Sequence, residues 1–190
     1  IGLADDIWKL PPLPRLVFQL VVAIAVWSQG LRIESIDIGV LGFSSSIIVL
    51  PRLISLFFTV IWLVGITNAI NWLDGLDGLA TGVVGIASLG IFSFALLYGQ
   101  QQTSLFAALL AGSCLGFLPH NLYPARIHMG DGGAYFLGFI LSSLSIITFT
   151  KEITSSAKEF PIFIMHLPLL ILFIPIIDMF LVILRRIFNK

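Results

Sequence analysis

Charged residues are scarce in this sequence. They make up 11% of the 190 residues, whereas 58% are hydrophobic and the mean hydropathy is +1.06. A soluble domain of this size carries about 25% charged residues, because its surface has to be covered with solvated groups. The shortage excludes an ordinary cytoplasmic enzyme, a nucleic-acid-binding protein and a disordered tail. Long apolar runs must instead face lipid, which indicates an integral membrane protein.

The sequence also lacks a second cysteine, an excess of charge of either sign and an initiating methionine. Cys114 can form no disulfide within the chain, and we expect it to pack in an apolar span. Ten basic and ten acidic residues cancel, so an anionic substrate has to be met by local groups. The sequence begins without a signal peptide and stops in a basic cluster. We expect residues 1–190 to be a single multi-span domain and an internal fragment of a longer enzyme.

Six apolar segments are long enough, or nearly so, to cross about 30 Å of hydrocarbon as helices. They are residues 13–29, 47–66, 79–98, 104–119, 134–150 and 160–184. Helices follow because an open strand in lipid would leave its backbone N–H and C=O groups unpaired. We predict an all-α integral membrane protein with about six transmembrane helices. Pro168 and Pro175 should kink or break the last one.

Two smaller patterns accompany these spans. In the longest loop on the predicted outer side, Ile33, Ile36, Ile38 and Val40 favour a short hairpin lying on the membrane. Small residues also recur four apart, which predicts close helix packing. These positions are Gly78 and Gly82, Gly112 and Gly116, and Ala134, Gly138 and Ser142.

Lys and Arg are distributed unevenly between the two ends of the predicted spans. Six lie on one side and four on the other. Because cytoplasmic loops are enriched in these residues, the first side is predicted to be cytoplasmic. Five of the seven aspartates share that side, whereas all three glutamates lie on the other. These five are Asp5, Asp6, Asp74, Asp77 and Asp131.

The first candidate site follows the second predicted span, where four polar residues are spaced by three. They are Asn68, Asn71, Asp74 and Asp77. On a regular α-helix Asn68 and Asp77 would face opposite ways, whereas a 3₁₀ turn or a helix broken at Gly75 would bring all four to one side. Oxygen ligands of this kind suit a hard cation such as Mg²⁺. Helix capping alone does not account for four such groups in ten residues of an apolar chain.

Two further acidic elements lie at span ends on the same side. Asp131 stands among glycines before the fifth span, where free helix N–H groups favour phosphate. A divalent metal would resolve the repulsion between Asp131 and a diphosphate. Asp5 and Asp6 are adjacent and would point different ways on a helix, so we expect separate roles for them. Taken alone, an ordinary turn and a helix cap also account for these two elements.

Together, three ordered motifs resemble one family. They are DD at residues 5–6, NAINWLDGLDGLATG at 68–82 and PARIHMGDGGAYFLGF at 124–139. Over nearly its whole length the chain resembles the polyprenyl-phosphate N-acetylhexosamine-1-phosphate transferases of bacterial cell-envelope synthesis. The resemblance implies transfer of a sugar 1-phosphate from a UDP-N-acetylhexosamine to undecaprenyl phosphate, with release of UMP. It also implies Mg²⁺, with Mn²⁺ as the alternative, and an active site on the cytoplasmic face of the plasma membrane.

The resemblance assigns roles to residues by their positions in the motifs. Asp5 and Asp6 match an aspartate pair, one member of which engages or deprotonates the lipid phosphate. Asn71 and Asp131 match the metal ligands. Asp74 and Asp77 match catalytic carboxylates around the nucleotide sugar. We place the substrate-binding polar groups at Asn68, Asn121 and Arg126.

Some positions depart from the family pattern or stay outside it. Ala134 stands where most members have Ser, and the histidine-rich loop expected beyond Lys190 is missing from this sequence. His120 and His128 are interpreted as loop residues. Asp178 must face the helix bundle or the cytoplasmic vestibule rather than lipid. The expected partners are the two substrates, the bilayer and a second copy of the chain in a homodimer, but no nucleic acid.

Two other classes of membrane protein compete with this interpretation. A CDP-alcohol phosphotransferase also places aspartates at a membrane face, but its D-G-x-x-A-R pattern requires an arginine that the segment after Asp77 lacks. An ion-coupled transporter with broken helices could use Asp and Asn at an ion site. Its ionisable groups should lie near the middle of the membrane, whereas these cluster at one face.

Overall fold

The helices of the computed structural model are joined by short loops and one hairpin. The structure describes residues 1–37 and 47–154, together with positions 177 and 181. The helices are α1 (Gly2–Trp8), α2 (Pro12–Ser28), α3 (Arg52–Leu73), α4 (Leu79–Leu97), α5 (Gln101–Asn121) and α6 (Gly130–Thr154). Strands β1 (Ser35–Asp37) and β2 (Ile47–Val49) pair antiparallel between α2 and α3. The sixth predicted span lies outside the described residues except for positions 177 and 181, and its prolines and Asp178 are not among the described residues.

Helices α3 to α6 are each long and apolar enough to cross a membrane. Helix α2 is apolar as well but has 17 residues. These helices fall on the first five predicted spans, with shifts at their ends. The predicted all-α membrane fold is therefore confirmed.

The predicted bounds of the second span were wrong at both ends. Residues 47–49 form a strand, in which Ile48 pairs with Ile36, and the helix begins only after Pro51. Proline suits a helix start, because its fixed φ and missing N–H do no harm there. At its other end α3 continues to Leu73, past the predicted end at residue 66. The second strand of the β1–β2 pair thus comes from residues that the sequence had assigned to the second span. Of the four residues predicted to form a hairpin the pair contains Ile36, while Ile38 and Val40 lie outside the described residues.

Helix α6 is the central helix of the described chain, because it contacts α1, α3, α4 and α5. The core between these helices includes Ile70, Val84, Ile91 and Leu141, which are fully buried. This packing brings the first turn of α6, with Asp131, beside the last turns of α3. Residues far apart in sequence therefore meet at one end of the bundle.

Gly138 allows α3 and α6 to approach closely. A Cβ added at Gly138 would lie 2.8 Å from the Thr67 Cα and 3.2 Å from the Thr67 carbonyl oxygen. Ala134 and Ser142, one turn to either side, are fully buried. The predicted packing role of these three small residues is thus confirmed. Gly112 and Gly116 differ, since nothing in the described part of the chain lies within 4 Å of a Cβ added there.

We predict that Gly138→Ala destabilises the full-length protein by about 1–3 kcal/mol, because the new methyl group meets backbone atoms that cannot move independently. Gly112→Ala is the matched control in α5. It adds the same group in open space and should leave stability unchanged or raise it by up to about 1 kcal/mol. Thermal unfolding in detergent measures both. Equal losses of stability would contradict the close approach at Gly138.

Candidate active site

Four residues from four helices form the centre of the candidate site. Asn71 of α3 donates a hydrogen bond from Nδ2 to Asp131 Oδ1 at 2.6 Å. The other oxygen of Asp131 lies 3.6 Å from Arg15 Nη1 of α2. The same guanidinium nitrogen pairs with Asp5 Oδ2 of α1 at 2.5 Å. The site thus holds one cation between two carboxylates, beside a carboxamide.

The local sequence explains how Arg15 and Asp5 come together. Pro12 and Pro14 lie in the first turn of α2, where proline is tolerated, so Arg15 follows at the start of an apolar helix. Helix α1 ends at Trp8 and is followed by Lys9, whose left-handed φ of 49° turns the chain back and whose backbone N–H bonds to the Asp5 carbonyl. The Asp5 side chain is only 4% exposed. A buried carboxylate requires a partner, and Arg15 provides it.

The pKa of Asp5 reflects this environment. Burial is the largest single influence and acts to raise it. The hydrogen-bonded ion pair with Arg15 acts in the opposite direction, and the pKa lies below its ordinary value. Asp5 is therefore ionised at neutral pH.

Asp6 faces a different partner from that of its neighbour. Its two carboxylate oxygens accept the backbone N–H groups of Asp131 at 2.8 Å and of Gly132 at 2.9 Å. Asp6 thus caps the positive end of α6, where the sequence led us to expect N–H groups free for phosphate. A Cβ added at Gly132 would lie 3.0 Å from this carboxylate, which explains the glycine.

The turn between α3 and α4 carries Asp74 and Asp77. The helix ends before Asp74, and the chain turns through Gly78, whose φ is +74°. The helix breaks two residues before the predicted break at Gly75, and i→i−3 hydrogen bonds follow, from the Leu76 N–H to the Leu73 carbonyl and from the Leu79 N–H to the Leu76 carbonyl. Features of both arrangements left open by the sequence are therefore present. Asp77 Oδ2 accepts the N–H of Ala125 at 2.9 Å, and its other oxygen lies 4.0 Å from His128 Nδ1. Asp77 therefore anchors the loop that leads to α6.

Asp74 shows how much negative charge this end of the bundle contains. Burial raises its pKa to about 6, and the charges of Asp131, Asp6 and Asp77 add to the increase, while His128 opposes it. Such mutual repulsion between carboxylates favours binding of a cation.

Asn121 is not free to contact a substrate in this structure. It is 2% exposed, and its Oδ1 accepts hydrogen bonds from the Gly78 N–H at 3.2 Å and from the Thr81 hydroxyl at 2.8 Å. Its Nδ2 donates to the Ile127 carbonyl at 3.1 Å. We therefore interpret Asn121 as the residue that holds the start of α4 and the 122–129 loop together. The sequence had placed it among the substrate-binding groups.

Asn68 is likewise engaged by the protein. Its Nδ2 donates to Gln19 Oε1 at 2.6 Å and to the Val64 carbonyl at 2.8 Å, and Gln19 donates back at 3.4 Å. The two carboxamides link α2 to α3, one turn beyond Arg15 and one turn before Asn71. Arg126, the third expected substrate group, is exposed on the loop, where its backbone N–H bonds to the His120 carbonyl at 2.8 Å. His120 itself lies in the last turn of α5, so its interpretation as a loop residue was wrong.

Residues 1–149 match the family model described as glycosyl transferase family 4. The match covers well over half of the chain. The chain belongs to glycosyl transferase family 4. This membership confirms the family that the three motifs resemble.

Relatives of this family 4 chain include enzymes named for transfer to polyprenyl phosphates. The chain is 38% identical over 194 residues to a probable undecaprenyl-phosphate N-acetylglucosaminyl 1-phosphate transferase of Bacillus subtilis (strain 168), a match covering 100% of this chain and 50% of the relative. It is 40% identical over 153 residues to a decaprenyl-phosphate N-acetylglucosaminephosphotransferase of Mycobacterium leprae (strain TN), covering 76% of this chain and 38% of the relative.

A third relative carries a different name. The chain is 48% identical over 99 residues to a phospho-N-acetylmuramoyl-pentapeptide-transferase of Prochlorococcus marinus (strain MIT 9301), covering 49% of this chain and 28% of the relative. The family 4 chain thus spans at most half the length of these three relatives.

The site of this family 4 chain could supply some of the ligands of a Mg²⁺ ion, and a substrate would have to supply the others. In the described part of the chain, no group of three or more His, Cys, Asp and Glu residues could hold a metal ion by itself. Asp131 supplies carboxylate oxygens, and Asn71, whose Nδ2 contacts Asp131 at 2.6 Å, would add its carboxamide oxygen once the amide is turned over. Mg²⁺ is commonly held by one or two carboxylates together with substrate phosphates and water. With a diphosphate and water as the remaining ligands, Asn71 and Asp131 would fit Mg²⁺.

Sequence reasoning did not predict Arg15 or Gln19 as parts of this family 4 site. Arg15 was counted only for membrane orientation, although an ionisable residue at the start of an apolar helix is itself a sign of function. Gln19 follows it by one helical turn on the same face. A polar stripe at this spacing in an apolar helix was the available signal.

Proposed function

We propose that the full-length protein transfers an N-acetylhexosamine 1-phosphate from a UDP-sugar to undecaprenyl phosphate and releases UMP, in cell-envelope polysaccharide or peptidoglycan synthesis. The supporting observation is the contact between Asn71 and Asp131 beside Arg15 at one end of the helix bundle. Oxygen donors for a cation and a fixed guanidinium suit two phosphate-bearing substrates. Family membership argues against the CDP-alcohol phosphotransferase and the transporter.

The reaction joins two anions, so charge is the main obstacle. An oxygen of the lipid phosphate attacks the phosphorus that carries the sugar, and the bond from this phosphorus to the bridging oxygen of UMP breaks. Mg²⁺ bound to Asn71 and Asp131 would neutralise charge on the diphosphate. Arg15 holds its guanidinium against Asp5 and Asp131, which fixes a positive charge where the second phosphate has to approach.

A groove beside Arg15 suits the lipid substrate. This cavity, of about 270 Å³, lies between α2, α3 and α6, with apolar walls that include Phe18, Val22 and Phe139. It also reaches Tyr135, whose hydroxyl lies 3.4 Å from Arg15 Nη1. A polyprenyl chain in the groove would bring its phosphate to Arg15. We accordingly assign lipid-phosphate binding to Arg15 and the positioning of Asp131 to Asp6.

The sugar and the membrane side are part of the proposal. The two longer matches are to relatives named for N-acetylglucosamine transfer, so we propose UDP-N-acetylglucosamine as the donor. The distribution of Lys and Arg supports an active site on the cytoplasmic face of the bacterial plasma membrane. A homodimer stays a prediction.

The test is UMP release from UDP-N-acetylglucosamine by membranes that contain the full-length protein. We expect release only when both undecaprenyl phosphate and Mg²⁺ are present. Membranes from cells without the protein provide the background. Release that does not depend on undecaprenyl phosphate would contradict the proposal. Release from UDP-N-acetylmuramoyl-pentapeptide alone would keep the reaction and correct the sugar.

A further inference from the structure

A second polar cavity lies at the opposite end of the bundle from Asp131. The candidate active site uses the start of α2 and the end of α3, whereas this cavity lies between the end of α2, the hairpin and the start of α3. Its volume is about 510 Å³. Its lining includes Trp27, Arg32, Glu34, Val49, Arg52 and Ser55. None of these residues belongs to the proposed transfer reaction.

Arg52 is exposed and places a positive charge on the wall of this cavity. Its guanidinium carbon stands 5.3 Å from the centre of the Trp27 ring. That ring is 8% exposed and donates a hydrogen bond from Nε1 to Ser55 Oγ at 3.3 Å, so its position is set by the fold. Among the side chains that the structure describes, Arg52 makes no ion pair with a carboxylate. A cation over a buried ring without a carboxylate partner can accept an anion.

Arg32 and the helix start add to this positive field. Arg32 Nε pairs with Glu34 Oε1 at 2.7 Å, and both side chains are exposed. The described charges on the cavity wall therefore sum to one positive charge. Helix α3 also begins here at Arg52 without a side-chain cap, so its positive dipole end is not neutralised by a side chain of the cap residue Pro51.

The surroundings favour a lipid over a soluble anion. Val49, which lines the cavity, is 74% exposed, and Leu53, next to Arg52 in the chain, is 79% exposed. Tryptophan and arginine at the ends of membrane-spanning helices lie at the level of the lipid headgroups. A soluble phosphate would contact the arginines but leave the apolar side chains uncovered. A phospholipid can satisfy both.

We propose that this cavity binds the phosphate of an anionic phospholipid in the leaflet opposite the active site, with the acyl chains lying over Val49 and Leu53. The proposal requires only that α2 and α3 reach this face of the membrane. It does not rest on the sugar-phosphate transfer proposed above.

The test uses the full-length protein in detergent, with phosphatidylglycerol or phosphatidylcholine added and bound lipid counted by native mass spectrometry. We expect phosphatidylglycerol to be retained more strongly than phosphatidylcholine. Arg52→Gln should weaken its retention about tenfold, the effect of losing one charge-assisted hydrogen bond of about 1.4 kcal/mol or more. Glu34→Gln removes the opposing charge and should strengthen retention.

Lys9→Gln is the matched control, because it removes one positive charge at the other end of the bundle and should leave phosphatidylglycerol binding unchanged. Unaltered binding in both Arg52→Gln and Glu34→Gln would overturn the proposal, and the second variant keeps the test decisive if the first folds poorly. Displacement of the lipid by inorganic phosphate at equal concentration would overturn the lipid assignment in favour of a soluble anion.

Discussion

Asp131→Asn in the full-length protein should reduce sugar-phosphate transfer by about 10²–10³-fold and raise the Mg²⁺ concentration needed for half-maximal activity by about 10-fold or more. The substitution keeps the size of the side chain but removes its charge. Asn71, at 2.6 Å from Asp131, would then face a second neutral carboxamide instead of a carboxylate. Activity measured against Mg²⁺ concentration gives both quantities.

Asp6→Asn is the informative comparison, because the structure links Asp6 to Asp131. Both carboxylate oxygens of Asp6 accept backbone N–H groups at the start of α6. Asparagine has one acceptor oxygen and would turn its NH₂ group towards the second N–H. We therefore expect a smaller shift of the Mg²⁺ requirement in the same direction. The sequence alone had suggested that Asp6 acts on the lipid phosphate. In that role, Asp6→Asn would leave the Mg²⁺ requirement unchanged.

Asp37→Asn provides the control, since Asp37 lies on the hairpin at the other end of the bundle. It should leave both turnover and Mg²⁺ dependence unchanged. An Asp131→Asn enzyme with an unaltered Mg²⁺ requirement would show that the metal ligands are wrongly assigned. Lower turnover in Asp6→Asn without any Mg²⁺ shift would restore its role on the lipid phosphate.

The fold was largely predictable because membrane-spanning helices have a simple physical signature. Apolar length identified α2 to α6 but not the short helix α1, and prolines precede the starts of α2 and α3. The errors occurred where the hydrophobicity of a residue does not indicate whether it belongs to a membrane-spanning helix. Residues 47–49 are apolar but pair with β1, and Asn68 and Asn71 are polar but belong to α3. Hydropathy alone distinguishes neither case.

The grouping of the five aspartates at one end of the bundle was also predictable, because it depends only on how many times the chain crosses the membrane. Their individual partners were not. Asn121 satisfies three protein groups, and Asp6 caps a helix that begins 124 residues later. Such contacts depend on the distance and angle between packed helices, which a single sequence does not specify.

Arg15→Gln should have a large effect on both stability and activity. The Asp5 carboxylate is only 4% exposed, and the change removes the cation that pairs with it at 2.5 Å. Removing one partner of a buried ion pair costs about 3–5 kcal/mol. Because the Arg15 side chain is itself 26% exposed, we expect a value near the lower end, about 3 kcal/mol. Transfer should fall by about 100-fold or more, since the charge that meets the lipid phosphate is lost.

A double variant separates these two effects. Asp5→Asn combined with Arg15→Gln removes both charges, so unfolding in detergent should show stability within about 1 kcal/mol of the wild type. Transfer activity should stay low, because no cation replaces Arg15. Arg126→Gln, on the exposed loop, is the control for stability and should change it by less than about 0.5 kcal/mol. Recovery of activity together with stability would show that Arg15 serves only to neutralise Asp5, and that another group binds the lipid phosphate.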